Sequence, residues 1–150
     1  MNVFELLKED HKKVAQIFEK LEHTTEQAVK TRDELFGKLK NELEIHTRIE
    51  ETIFYPVLKE ADETRAITLE AYEEHKVVKE LLEEMTSMPV SSEQWTAKCT
   101  VLKESVEHHV EEEESDMFKS AREVLTKEQA EELGARMEAE KKQLAAAAKK

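Results

Sequence analysis

The chain has 150 residues, about one domain, with only two Gly and two Pro among 39% charged and 39% hydrophobic residues, so it holds few of the breakers that strands and tight turns require. A formal charge of −12 at pH 7 repels phosphate backbones and anionic lipid, which argues against nucleic-acid and membrane partners. No apolar run approaches the roughly 20 residues that span a bilayer, the start Met1 to Glu5 has no basic region, and the single Cys99 cannot make an internal disulfide, so a cytoplasmic protein is expected, with Cys99 filling core.

Apolar residues recur at three- and four-residue steps through four long segments, the period of amphipathic helices. The first helix is expected to start behind Asn2 as N-cap and to carry Phe4, Leu7, His11, Val14, Phe18 and Leu21 on one face, fading between His23 and Lys30. The second, from about Thr31, carries Leu35, Leu39, Leu43, His46, Glu50 and Ile53 and is expected to end near Tyr55, because Pro56 disfavours helix in the residue before it. A short connection from Pro56 to Asp62 leads to a third helix with Ile67, Ala71, His75, Val78, Leu82 and Met85, which stops in the loop Ser87 to Ser91. The fourth restarts behind Ser91 or Ser92 with Trp95, Cys99, Leu102, Val106, His109, Glu113 and Met117. Thr126 and Gln129 form a capping box for a shorter fifth helix reaching toward Lys142, followed by a low-complexity, partly frayed tail from Leu144. The expected fold is all-α: an antiparallel up-down-up-down four-helix bundle over residues 1–122, with a short C-terminal helix and tail over 123–150.

His11, His46, Glu50, His75, His109 and Glu113 stand where Leu or Val would be expected. Burying such groups unpaired costs several kilocalories, so something must satisfy them. An internal repeat says what. Residues 9–14 read Glu-Asp-His-Lys-Lys-Val and residues 73–78 read Glu-Glu-His-Lys-Val-Val, and at nearly equal distances downstream His46-Thr-Arg-Ile-Glu50-Glu51 answers His109-Val-Glu-Glu-Glu113-Glu114. Two helical hairpins of one design, paired about a pseudo-twofold axis, would bring two His, His, Glu sets to the middle of the bundle. Residues four apart share a helix face, so each His-x-x-x-Glu can aim two ligand groups at one point. Imidazole with carboxylate suits iron, manganese or zinc better than copper(I) or calcium. Helical phase favours His109 over His108, which lies about 100° round the helix, and places His23 about 120° from His11, on the solvated side. Phe54, Tyr55, Met117 and Phe118 follow the two strings at matching offsets, as site walls or core. Trp95 reads as core.

Asp10-His11, His46-Thr-Arg-Ile-Glu50-Glu51-Thr-Ile-Phe-Tyr-Pro56, Glu74-His75-Lys76 and His109-Val-Glu-Glu-Glu113-Glu114 together resemble the hemerythrin-like, or HHE cation-binding, family over about residues 3–122. The resemblance implies a non-haem di-iron site open to dioxygen, peroxide or nitric oxide, with zinc or manganese as substitutes. His11 and His46 would serve one iron, His75 and His109 the other, and Glu50 and Glu113 would bridge. Oxygen-carrying members place a further His one turn after the third-helix histidine, where this chain has Lys79. That favours redox turnover or sensing over reversible carriage, with water, Glu51, Glu114 or Tyr55 filling the open position. The ferritin-like carboxylate class, built on Glu-x-x-His, is excluded because no His here has Glu three positions before it. The residues do not separate an enzyme from a sensor or store acting through a protein partner.

Overall fold

The computed structural model describes residues 1–148, and every element in them is helical. Helix α1 spans Val3–Glu22 and α2 spans Val29–Ile49; a π-helical turn, Glu50–Phe54, joins α2 to α3, Tyr55–Glu60. Helix α4 runs Asp62–Thr86, α5 runs Glu93–Glu112, a second π turn, Glu113–Met117, leads into α6, Phe118–Val124, and α7 spans Lys127–Ala148. The antiparallel four-helix bundle is therefore present, with α2–α3 and α5–α6 each acting as one long bent rod and α7 as an added fifth helix.

Local chemistry sets the ends as the sequence predicts in three places. Asn2 accepts from the Glu5 amide while the Glu5 carboxylate accepts from the Asn2 amide, a complete capping box. The Ser92 hydroxyl accepts from the Trp95 amide at 3.1 Å and starts α5. Thr126 and Gln129 exchange both bonds of a capping box, at 2.8 and 3.1 Å, and start α7.

Two expectations are corrected. The second helix does not end near Tyr55, and Pro56 to Asp62 is not a loop: helix continues to Glu60 and only Ala61 breaks it, with φ −92° and ψ 133°. The π turn explains this. The Tyr55 amide donates to the Glu50 carbonyl five residues back, so the ladder is already opened where Pro56 brings no N–H, and Pro56 occupies the first turn of α3, where none is needed. The Tyr72 hydroxyl donates to the Glu51 carbonyl at 3.4 Å, serving one acceptor of the widened turn. The fifth helix is also not short: its 22 residues exceed the 20 of α1, and the helix runs through Leu144 to Ala148, with the last two lysines outside the described residues. Packing outweighs the weak tail pattern, because Ala130, Leu133 and Met137 are buried against Val3, Leu7 and Ile49. At Gly134 the helix meets the start of α1 so closely that a Cβ would lie 2.3 Å from the Met1 carbonyl oxygen.

The apolar core is in two parts. One, around Phe4, Phe54, Phe118 and Met137, fills the end where α7 crosses; the other, around Phe18, Phe36, Leu82 and Trp95, fills the opposite end. There Arg32, buried against Trp95 at 5.0 Å, closes the bundle by donating to the Val90 carbonyl at 2.6 Å and to the Thr24 and Thr96 hydroxyls. Cys99 is half-buried beside this cluster, and burial pushes its thiol up, away from reactivity. Between the two apolar parts lies a polar layer.

Candidate metal centre

The polar layer is made by six buried side chains, His11, His46, Glu50, His75, His109 and Glu113. One from α1, one from α4 and a pair from each bent rod converge on one point because i and i+4 positions stack on a helix face. Glu50 Oε1 lies 3.1 Å from His46 Nε2 and 3.2 Å from His75 Nε2. Glu113 presents Oε1 to His11 Nε2 at 3.1 Å and Oε2 to His109 Nε2 at 3.3 Å. Each carboxylate thus spans both hairpins. Within the layer candidate ligand atoms fall into two overlapping groups, His11, His46, Glu50, Glu113 and Glu50, His75, His109, and outside it Glu74, His108 and Glu112 form a third, part-exposed one, with the atoms of each group within 4.8 Å of one another. Both π turns begin on these glutamates, Glu50 and Glu113. The repeated bulge is a departure from regular helix at the residues that carry the chemistry, a common association.

The contacts are close without being hydrogen bonds. The Nε2 atoms of His11 and His46, both carboxylate oxygens of Glu50 and Oε1 of Glu113 are buried with no aligned hydrogen-bond partner. Leaving each polar group so disposed costs on the order of 1–3 kcal/mol, and lone pairs aimed at a common point are what a cation would satisfy. The donor set therefore fits the metal pair that the resemblance implies.

Behind each imidazole stands another carboxylate, a feature not legible as such in the sequence. His11 Nδ1 meets Glu114 at 2.6 Å, His46 Nδ1 meets Asp10 at 3.0 Å, His75 Nδ1 meets Glu51 at 2.8 Å and His109 Nδ1 meets Glu74 at 2.7 Å. The rule is regular. The acid preceding a hairpin's first histidine orients its second histidine, and the acid following a bridging glutamate orients the first histidine of the other hairpin. An Nδ1–H donated to a carboxylate fixes the tautomer and leaves Nε2 for the pocket. Glu51 and Glu114, two of the alternatives for the open position, meet the outer ring nitrogens of His75 and His11.

Charge follows geometry. Burial pushes His109 down, but Glu113 and Glu74 outweigh it and hold the imidazole up at about 10. His46 and His75 are likewise raised against burial, by Glu50 with Asp10 and by Glu50 with Glu51. Glu113 is held well below the usual carboxylate range: burial opposes this, and His109 and His11 overcome it.

The phenol of Tyr55 also enters the layer. Its oxygen lies 3.3 Å from Nε2 of both His75 and His109, and it donates to Glu113 Oε2 at 2.5 Å. Burial, then the Glu113 and Glu50 charges, raise the phenol well above 10. Lys79 is 52% exposed and reaches Glu51 at 3.6 Å. At the matching offset in the other rod Phe118 stacks on His11, with centroids 6.4 Å apart. Phe54 and Met117 pack in the core. His108 is 71% exposed between Glu74 and Glu112, and His23 is exposed, as helical phase predicts.

A duplicated helical hairpin with a buried four-histidine, two-carboxylate layer defines a class of cation-binding bundle, and the comparisons name it. The model of the hemerythrin HHE cation binding domain matches residues 2–121, and the chain belongs to that family. It is 30% identical over 149 residues to a DNA nickase of Nostoc sp. (strain PCC 7120 / SAG 25.82 / UTEX 2576), covering 96% of this chain but only 40% of that protein. It is 30% identical over 145 residues to the uncharacterized protein Rv2633c of Mycobacterium tuberculosis (strain ATCC 25618 / H37Rv), covering 96% of this chain and 88% of that one. Among solved structures it is similar to a hemerythrin HHE cation binding domain-containing protein, the Rv2633c homolog from Mycobacterium kansasii, with a TM-score of 0.86, 31% identity and coverage of 99% and 90% of the two chains. No helix of the described residues is long and apolar enough to cross a membrane.

Proposed function

We propose that the chain is a non-haem di-iron protein that reacts with dioxygen, peroxide or nitric oxide. His11 and His46 would hold one iron, His75, His109 and Tyr55 the other, and Glu50 and Glu113 would lie between them. The observation that carries the reading is the set of buried, unpartnered Nε2 and carboxylate atoms facing one another, each histidine backed on Nδ1 by an acid. Two carboxylates shared by both half-sites offset the repulsion of two adjacent cations, and the nitrogen-rich set suits iron, with zinc or manganese as substitutes.

Bound iron would supply the redox electrons and an exchangeable position for a small oxidant. The chain's own residues do the rest. Asp10, Glu51, Glu74 and Glu114 hold the four rings in one tautomer. Tyr55 holds a proton on Glu113 Oε2 in the metal-free pocket and offers an oxygen rather than a further nitrogen, which supports redox turnover over reversible carriage. A cavity of about 20 Å³ borders the four histidines, walled by Val14, Leu43, Val78, Val106 and Val110. That is room for about one water-sized molecule, which opposes any substrate larger than a few atoms. The likeness to the DNA nickase covers less than half of that protein, and the −12 charge opposes a phosphate backbone, so nicking is not carried over.

Elemental analysis of the protein purified without added metal is expected to give two irons per chain, and the iron-loaded protein is expected to consume peroxide. An iron-free chain that takes up no iron under reducing conditions overturns the reading.

A further inference from the structure

The four acids that orient the histidines are not equivalent. Glu51, Glu74 and Glu114 expose 24%, 23% and 33% of their side chains, whereas Asp10 exposes 1%. Asp10 lies beneath α7, and Lys141 of that helix pairs with Asp10 Oδ1 while Asp10 Oδ2 accepts from His46 Nδ1. The counterpart on the other hairpin, Glu74, turns its second oxygen toward the exposed His108 at 3.7 Å, and among the described residues no lysine or arginine lies within ion-pair reach of it.

We propose that Lys141 is a positioning residue for the metal centre: by holding Asp10 on His46 it makes the His11/His46 half-site the tighter of the two metal positions and the first to fill. The inference rests on the two-metal reading. A carboxylate this deeply buried, with one oxygen on an imidazole and the other bare, would leave a charge half-satisfied in a low-dielectric layer, and it would turn or be neutralised. Lys141 occupies the bare oxygen. Asp10 is then fixed from both sides, His46 keeps its Nδ1 proton on Asp10 Oδ2, and Nε2 faces the pocket without rotamer freedom. Helix α7 is itself held in place by apolar contact and by the close approach of Gly134 to the start of α1, so Lys141 is delivered by a rigid element. In the other half-site Glu74 is shared with solvent and a surface imidazole, and Glu51 meets only the 52%-exposed Lys79, at 3.6 Å and on the same oxygen that already serves His75.

The test is calorimetric titration of the metal-free full chain with Zn²⁺, repeated with Co²⁺ to follow the visible ligand-field bands of each equivalent. The wild type is expected to bind two ions in steps of unequal affinity. Lys141→Met is expected to weaken the tighter step by up to about tenfold, the low end of what losing Asp10, the outer partner of His46, would do, to leave the weaker step unchanged and to alter the Co²⁺ bands of the first equivalent. Lys141→Arg restores both, and Glu74→Gln weakens the other step. Melting of each metal-free variant reports the packing of α7 separately, and Lys141→Gln replaces the Met variant should that one fail to fold. A wild type that binds neither ion overturns the two-metal reading. Two ions bound in equal steps, or unequal steps that Lys141→Met leaves unchanged or weakens alike, overturn the role of Lys141 while leaving that reading standing.

Discussion

The His11/His46 and His75/His109 half-sites share one design and differ in their surroundings. Each has two imidazoles from one hairpin, the same two glutamates between, and an acid on every Nδ1. The first is closed: α7 lies over it, Phe118 stacks on His11, and Ile45 and Ile49 are buried on its outer face. The second is equally buried but its neighbours are polar: Tyr55, stacked on His75, stands at the position matching Phe118, and the exposed His108 and the partly buried Glu112 match Ile45 and Ile49. Duplication accounts for the ligands; unlike neighbours give two otherwise matched metal positions different electrostatics. The comparison breaks most severely at what the halves share. Glu50→Gln removes the one negative charge whose Oε1 lies within 3.2 Å of a histidine from each hairpin, while keeping the side chain's size. Metal affinity is expected to fall by more than the roughly 10–100-fold that loss of an outer partner brings, leaving at most one ion per chain after dialysis. Elemental analysis checks it, and retention of two ions would remove Glu50 from the bridge.

A second effect separates the halves by their protons. In the metal-free pocket His109 stays protonated up to about 10, with His46 and His75 also raised. A histidine raised by folding adds stability that is fully present below its ordinary value near 6.5 and is lost as pH climbs through the folded value, so the metal-free fold weakens from about pH 6.5 toward 10. Metal binding needs those same rings deprotonated, so uptake releases protons and apparent affinity rises with pH, about tenfold per pH unit for each proton released. The difference in melting temperature between Zn²⁺-loaded and metal-free protein is therefore expected to widen from pH 6.5 to 9. Calorimetry in buffers of differing ionisation enthalpy counts the protons at each step and says whether the two halves give up equal numbers. A gap that narrows over that range would contradict the raised values.

The parts of this arrangement that sequence carries are those with a period or a repeat. The four helices, the caps at Asn2, Ser92 and Thr126, and the convergence of His11, His46, Glu50, His75, His109 and Glu113 follow from phase and from the duplicated strings. The orienting acids were visible as letters, in Asp10-His11 and Glu50-Glu51, but each reaches across to another helix, and a partner in space has no signature in spacing. The π turns were hidden because Pro56 reads as a stop unless the hydrogen-bond ladder is already open, and the second turn, at Glu113, has no proline to mark it. Helix α7 is faint in the sequence because its apolar pattern is thin: three buried residues and Gly134 suffice where the surface it meets is already shaped. Tyr55 was legible as a neighbour of the site, and only the fold brings its hydroxyl to Glu113.

The smallest expected effect tests that last residue and the asymmetry it creates. Tyr55→Phe makes the second half-site's wall match the Phe118 side of the first. Both metals are expected to stay bound, since four imidazoles and two carboxylates remain, with the second step weakened while the first holds. Metal-free stability is expected to fall by about 1–3 kcal/mol, because Glu113 Oε2 loses the 2.5 Å hydroxyl donor in a layer that water does not reach, and thermal melting measures it. The iron-loaded wild type should show a visible charge-transfer band from phenol oxygen to iron that the variant lacks. If the visible spectrum and the second binding step are the same in both proteins, the phenol serves Glu113 alone, and the two halves differ in their coverage by α7 but not in the atoms that hold the metals.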